Sequence, residues 1–215
     1  MNRALALGQY RDAKYHPFEG VDRELKDIFE GGLTVDCTDD YGALNAANLS
    51  GYQLFISYAE FSDTPVAPEQ EAALLAYVAQ GGGLLAIHNG ISLQRNSALA
   101  SLLGARFTGH PPYGPLPVAA CGEPHPITEG LVPFVIDDEP YRFDMNPLMK
   151  PSPLLEYEHE GERWPAGWAH RFGLGRVVYL MPGHSRSSFL HASYRALLLR
   201  AGLWAAAGSG EEAEI

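Results

Sequence analysis

Four histidines and one carboxylate stand where loops could bring them together: His16, His88, His110, His184 and Glu139. Imidazole titrates near pH ~6.5, so it exchanges protons under ordinary conditions, and its neutral ring nitrogen also ligates metals. A neighbouring carboxylate can fix the ring tautomer or take a proton. His88 ends the apolar run 84–87 and is followed by Asn89 and Gly90, a pattern that predicts a strand, a sharp turn and a helix with the ring presented at the apex. His184 follows the apolar run 177–180 through Met181, Pro182 and Gly183. His16 and His110 each precede a proline, which pushes them into extended loop conformations. Ligands of open α/β sheets bind outside the carboxyl ends of the strands, so His16, His88 and His184 converge if their strands run parallel. Glu139 closes the run Asp137-Asp138-Glu139 before Pro140 and Tyr141. Base rates favour a solvated acidic loop there, against the alternative that Glu139 orients or deprotonates a histidine. His125 reads as capping or packing against the turn that follows it, and His159, His170 and His191 as surface or hairpin residues.

The elements that would position these groups alternate. Strands are predicted at 4–7, 33–37 and 54–57. Between the first two, Val21, Leu25, Ile28 and Phe29 mark one face of a helix that Gly31 and Gly32 close. Pro68 suits the first turn of a second helix, with Glu69 and Glu71 at its positive end and Leu74, Leu75 and Val78 inward. The glycines 81–83 end it, and the run 84–87 reads as a strand buried on both faces. The proline-rich stretch 110–153 predicts short strands and irregular loops. Segments 165–170 and 176–180, joined by Phe172-Gly173-Leu174-Gly175, read as a hairpin before a closing helix over 194–206. Residues 1–207 are read as one α/β domain and 208–215 as a flexible acidic tail.

Composition narrows the function. The chain has 215 residues, 46% of them hydrophobic, and a formal net charge of −11. That excess of acid argues against nucleic acid or an anionic membrane as partner. The first apolar run is too short for a signal core or a membrane span. Only Cys37 and Cys121 occur, which excludes a disulfide scaffold and fits a reducing, cytoplasmic setting. No phosphate-cradling G-x-x-x-x-G-K-[ST], G-x-G-x-x-G, H-E-x-x-H or G-x-S-x-G is present, so no nucleotide cofactor is expected and serine hydrolysis loses support. A metal site would have to be assembled from distant loops.

Several stretches together resemble the ThuA-like, or trehalose-utilisation, family. They are the segment 81–88, His125-Pro126-Ile127 with Glu139 and Tyr141, and most specifically the segment from Trp168-Ala169-His170 through Gly173-Leu174-Gly175-Arg176 to Gly183-His184. The resemblance implies a three-layer α/β/α, flavodoxin-like fold of the class I glutamine-amidotransferase-like superfamily, with a mostly parallel sheet and a C-terminal β-hairpin. It also implies that His88 occupies the elbow position where amidotransferases carry a nucleophilic cysteine. Imidazole forms no stable thioester, so glutamine hydrolysis is not expected. The family carries over a substrate class, disaccharides and keto-sugars, more than a mechanism. His88, Glu139, Tyr141 and His184 match its motif positions. The chain departs from it at Ala67, where a Ser or Thr would cap the helix, and at Asn89-Gly90.

These readings converge on a sugar-modifying enzyme without a cysteine nucleophile. His88, Glu139 and His184 are the expected catalytic groups, and His16, Asn89, His110, Tyr141 and Trp168 the expected substrate contacts. Tyr141 would offer a hydroxyl and Trp168 an apolar face to a sugar ring. Either the histidines act as acids and bases, or His88, His184 and Glu139 hold a divalent ion such as zinc. The rival is a non-catalytic module for sugar binding or subunit interaction on the same scaffold. Homo-oligomerisation is compatible with the sequence.

Overall fold

Apolar runs without alternation need cover on both faces, and the chain supplies it with helices. A computed structural model describes residues 2–62 and 64–208. Its elements are, in order, β1 (Arg3–Gly8), α1 (Val21–Ile28), β2 (Thr34–Thr38), α2 (Ala46–Leu49), β3 (Leu54–Tyr58), α3 (Pro68–Ala79), β4 (Gly83–Ile87), α4 (Ser97–Leu103), β5 (Ala105–Gly109) and β6 (Gly114–Ala120). There follow β7 (Phe134–Asp138), β8 (Arg142–Met145), β9 (Ser152–His159), β10 (Glu162–Phe172), β11 (Gly175–Leu180) and α5 (Ala192–Ala206). Two 3₁₀ segments, His88–Arg95 and Arg186–Leu190, start next to site residues. From Ser209 onward the expected acidic tail lies outside the described residues.

Nine strands form one sheet in the order β2-β1-β3-β4-β11-β10-β9-β6-β7, and β5 pairs separately with β8. The five strands from β2 to β11 run parallel. Residues of β3, β4 and β11 are buried throughout, as continuous apolar runs in a covered parallel sheet should be. Helices α1 and α5 pack together against this half, while α2, α3 and α4 form a second helical group. The fold is therefore α/β, and the 165–180 hairpin is β10–β11.

The proline-rich middle departs most from its sequence reading. It forms short strands, but they join the main sheet: β10, β9, β6 and β7 extend it with antiparallel pairs. Bulges between Pro165 and Trp168 interrupt β9–β10, and bulges strengthen local twist. The extension consequently curls, since Asp138 at the end of β7 hydrogen-bonds Gly183 beyond β11, four strands away in the sheet order. That closure creates the site. No helix among the described residues is long and apolar enough to cross a membrane.

Candidate active site

The three parallel strands β1, β4 and β11 deliver His16, His88 and His184 to one place. After β1 the loop returns on itself through a bridge between Gln9 and Pro17 and a hydrogen bond from Phe18 N to Gln9 O. The fully buried Phe18 anchors that return, and His16 is held just before it, 8% exposed. His184 follows Gly183, whose φ of 143° suits glycine. A Cβ on Gly183 would also stand 2.7 Å from Ile87 Cγ2. The Tyr58 hydroxyl donates to Gly183 O at 2.9 Å and to His184 O at 3.3 Å, fixing the turn from below.

His88 adopts φ 45°, a left-handed conformation that a side chain rarely takes. Three contacts hold it there. Tyr179 donates its hydroxyl to His88 O at 3.1 Å, Asn89 Nδ2 donates to Tyr58 O at 3.0 Å, and Gly90 lies so close to Ser57 that a Cβ would strike its carbonyl oxygen. The expected elbow is present as a turn, but the ring is not presented to solvent. It is fully buried, packed at 4.2 Å between centroids against Tyr141.

Glu139 is the hub. Its Oε2 lies 3.3 Å from His88 Nε2, 3.2 Å from His184 Nδ1 and 3.9 Å from His16 Nε2. His110 Nε2 approaches Oε1 at 3.9 Å from a more exposed position. One potential ligand atom from each of His16, His88, Glu139 and His184 lies within 4.8 Å of all the others. The other nitrogen of His88, Nδ1, is 2.7 Å from Met181 O. A carbonyl only accepts, so Nδ1 carries a proton and donates it. Met181, rather than Glu139, fixes this tautomer.

Two carboxylates beyond the sequence candidates organise the cluster. Asp138, fully buried, accepts from Gly183 N (2.7 Å), His184 N (3.3 Å) and the Ser188 hydroxyl (2.9 Å) through Oδ2, and from Glu139 N (2.9 Å) through Oδ1. It also stands 3.4 Å from His88 Nδ1. Glu60 places Oε2 3.6 Å from His16 Nδ1. Glu60 follows β3 much as His88 follows β4, and that positional signal could have found it. Asp138 gave no signal of its own, because apart from Glu139 N its partners lie 45 to 50 positions along the chain.

Burial and crowding tune the groups. Burial, reinforced by the rings of His88 and His184, lowers His16 to about 3, which keeps it neutral. Burial alone would raise Glu139, but hydrogen bonding to His88 and the neighbouring His184, His88 and His110 rings bring it down to about 2. Glu139 is therefore ionised. Tyr141 is raised, first by burial and then by Glu139 and Asp138.

The remaining candidates separate. Asn89 and Tyr141 line a cavity of about 340 Å³ beside His16. Trp168 does not reach it: the indole is fully buried, donates Nε1–H to Leu103 O at 2.7 Å and packs on Phe143 and Tyr179. The expectation that Trp168 offers its face to a sugar is corrected accordingly. His170, expected as a surface or hairpin residue, lies in the β10–β11 hairpin but is buried, bonded to Leu102 O. His125 Nδ1 accepts from Ile127 N at 3.2 Å and its ring packs on Trp204, within the capping or packing role expected. Burial pushes Cys37 and Cys121 up to about 11, and neither joins the cluster.

The model of the ThuA family, described as trehalose utilisation, matches residues 14–205. Comparison with curated proteins finds no match. A crystal structure of a ThuA-like protein from Parabacteroides merdae ATCC 43184 superposes with a TM-score of 0.79 at 18% identity, covering 96% of this chain and 90% of the other. One from Bacteroides uniformis ATCC 8492 gives 0.74 at 21% identity, covering 93% and 89%. A β-galactosidase from Rahnella sp. R3 gives 0.64 at 16% identity over 92% of this chain but 31% of that longer one.

Proposed function

Because the chain belongs to the ThuA, or trehalose utilisation, family, we propose that it is a cytoplasmic enzyme acting on a disaccharide or keto-sugar, in which His16, His88, Glu139 and His184 hold a divalent metal such as zinc. The observation that carries this reading is the contact between His88 Nε2 and Glu139 Oε2. With the Nδ1 proton committed to Met181 O, Nε2 faces Glu139 Oε2 at 3.3 Å and, on a singly protonated ring, presents a lone pair to it. Two acceptors at that distance call for a cation between them.

The donor set supports a metal as that cation. His16 has both ring nitrogens buried without a hydrogen bond, and His184 has Nδ1 in the same state. Tetrahedral zinc with bonds near 2.0–2.1 Å separates its ligands by roughly 3.4 Å, so a cluster within 4.8 Å closes on it with small side-chain shifts. Met181 O and Glu60 would act behind His88 and His16, orienting each ring. A bound ion would supply Lewis-acid polarisation of a substrate oxygen. Around it, Tyr141 packs against the His88 ring and the cavity beside His16 receives the sugar.

A second reading uses the same contact. If the bridging cation is a proton, His88 is an imidazolium paired with Glu139, and acid/base chemistry proceeds without metal. The superposition on about a third of a β-galactosidase supports a third, non-catalytic reading, in which this scaffold serves as a module.

Turnover of trehalose and its keto derivatives, followed by NMR before and after chelation and zinc readdition, tests these readings. The metal reading expects activity that chelation abolishes and zinc restores. Activity that resists chelation but is lost in His88→Ala and Glu139→Gln would overturn it in favour of the proton. Sugar binding without turnover under every condition would support the module.

A further inference from the structure

Hydrogen-bond accounting in the cavity beside His16 leaves a specific set of groups free. Ser92 is occupied, donating to Ala59 O and accepting from Phe61 N. Gln94 is occupied at both ends by the backbone of Phe107. Ser62 donates to Glu60 Oε1 at 2.7 Å, and the other oxygen of Glu60 faces His16. Beyond His16 and Tyr141, which belong to the histidine cluster and its ring packing, three polar lining residues remain: Asn89, Arg95 and Arg106.

Asn89 is 4% exposed, and its Oδ1 is buried without a partner because Nδ2 is committed to Tyr58 O. A buried acceptor left unpaired is destabilising unless a ligand satisfies it. Arg106 has one weak tie, from Nη1 to Gln94 O at 3.3 Å, and no ion pair among the described residues. Arg95 makes no ion pair among the described residues. Two guanidiniums that make no ion pair among the described residues outnumber the one carboxylate, Glu60, lining the same cavity, in a chain of net charge −11. Guanidinium forks match carboxylate and phosphate oxygens in geometry and charge.

We propose that the substrate is an acidic sugar, with a hydroxyl donating to Asn89 Oδ1 and a carboxylate or phosphate gripped by Arg95 and Arg106. This rests on the sugar chemistry proposed above and narrows its substrate class. The cavity of about 340 Å³ lies at the small end of ligand sites and suits one sugar unit better than two.

Calorimetric titration with glucose, gluconate and glucose 6-phosphate tests it, using the wild type and an Arg95→Gln/Arg106→Gln double variant, with zinc content measured on the same samples. Both arginines are exposed, so the variant should fold. The expected result is that gluconate or glucose 6-phosphate binds about tenfold or more tightly than glucose. The preferred anion separates carboxylate from phosphate. The double variant should lose that preference and keep its zinc. Equal binding of all three, binding of none, or a preference that survives the double substitution would overturn the proposal. Anion preference without zinc would uphold it and defeat the metal reading, so the two failures are distinguishable.

Discussion

His88 and Glu139 face each other across 3.3 Å, with the far side of the His88 ring bound to Met181 O at 2.7 Å. The ring is thus fixed from behind, with a charged oxygen in front. Everything else in the cluster either shares that oxygen or fixes one of these two residues. Asp138 does the second, joining the backbone of Glu139 to that of Gly183 and His184.

Asp138→Asn would replace an acceptor of four donors by a group that keeps one oxygen. The amide must turn its own donors toward Gly183 N and His184 N or toward Glu139 N. Unfolding free energy in urea should fall by about 2–4 kcal/mol. A change within error would show that Asp138 does not organise the turn.

His170 makes stability depend on pH. Its Nε2 donates to Leu102 O at 2.9 Å, Nδ1 is buried without a partner, and burial lowers its pKa below the ordinary value. The unfolded chain takes up this proton below about pH 6.5, whereas the folded chain resists to lower pH. The unfolded state then binds more protons, so stability is full above that value and declines as pH falls toward the folded pKa. His170→Gln can keep the bond to Leu102 O without the titration. Urea midpoints at about pH 7.5 and about pH 5 should differ less in the variant than in the wild type. An identical difference would remove His170 from the account.

Trp168→Phe should act on stability alone. The substitution leaves Leu103 O without its indole partner and opens space against Tyr179. A loss of roughly 1–3 kcal/mol is expected, with zinc uptake unchanged. Reduced uptake at full stability would return Trp168 to the site.

Parallel-strand logic was sufficient to bring His16, His88 and His184 together, because each follows a buried apolar run and strand ends of one parallel sheet share a rim. Glu139 was visible as a carboxylate before proline, but not as a hub. Its position depends on the curl of the β9–β10 extension, set by bulges that carry no clear local pattern. Asp138 was read with its neighbours as a solvated run, since isolated acids are rarely buried. Its burial becomes affordable only when Gly183, His184 and Ser188 arrive from β11 onward. Trp168 illustrates the opposite error, an aromatic residue in a family-specific stretch that proves to be core.

The central claim is that a cation joins His16, His88, Glu139 and His184. Anomalous diffraction at the zinc edge, from crystals of protein purified with zinc, tests it most directly. The account predicts a single anomalous peak about 2.0–2.2 Å from a nitrogen of each histidine and an oxygen of Glu139. A well-ordered cluster with no anomalous peak, His88 Nε2 still facing Glu139 directly, would contradict it.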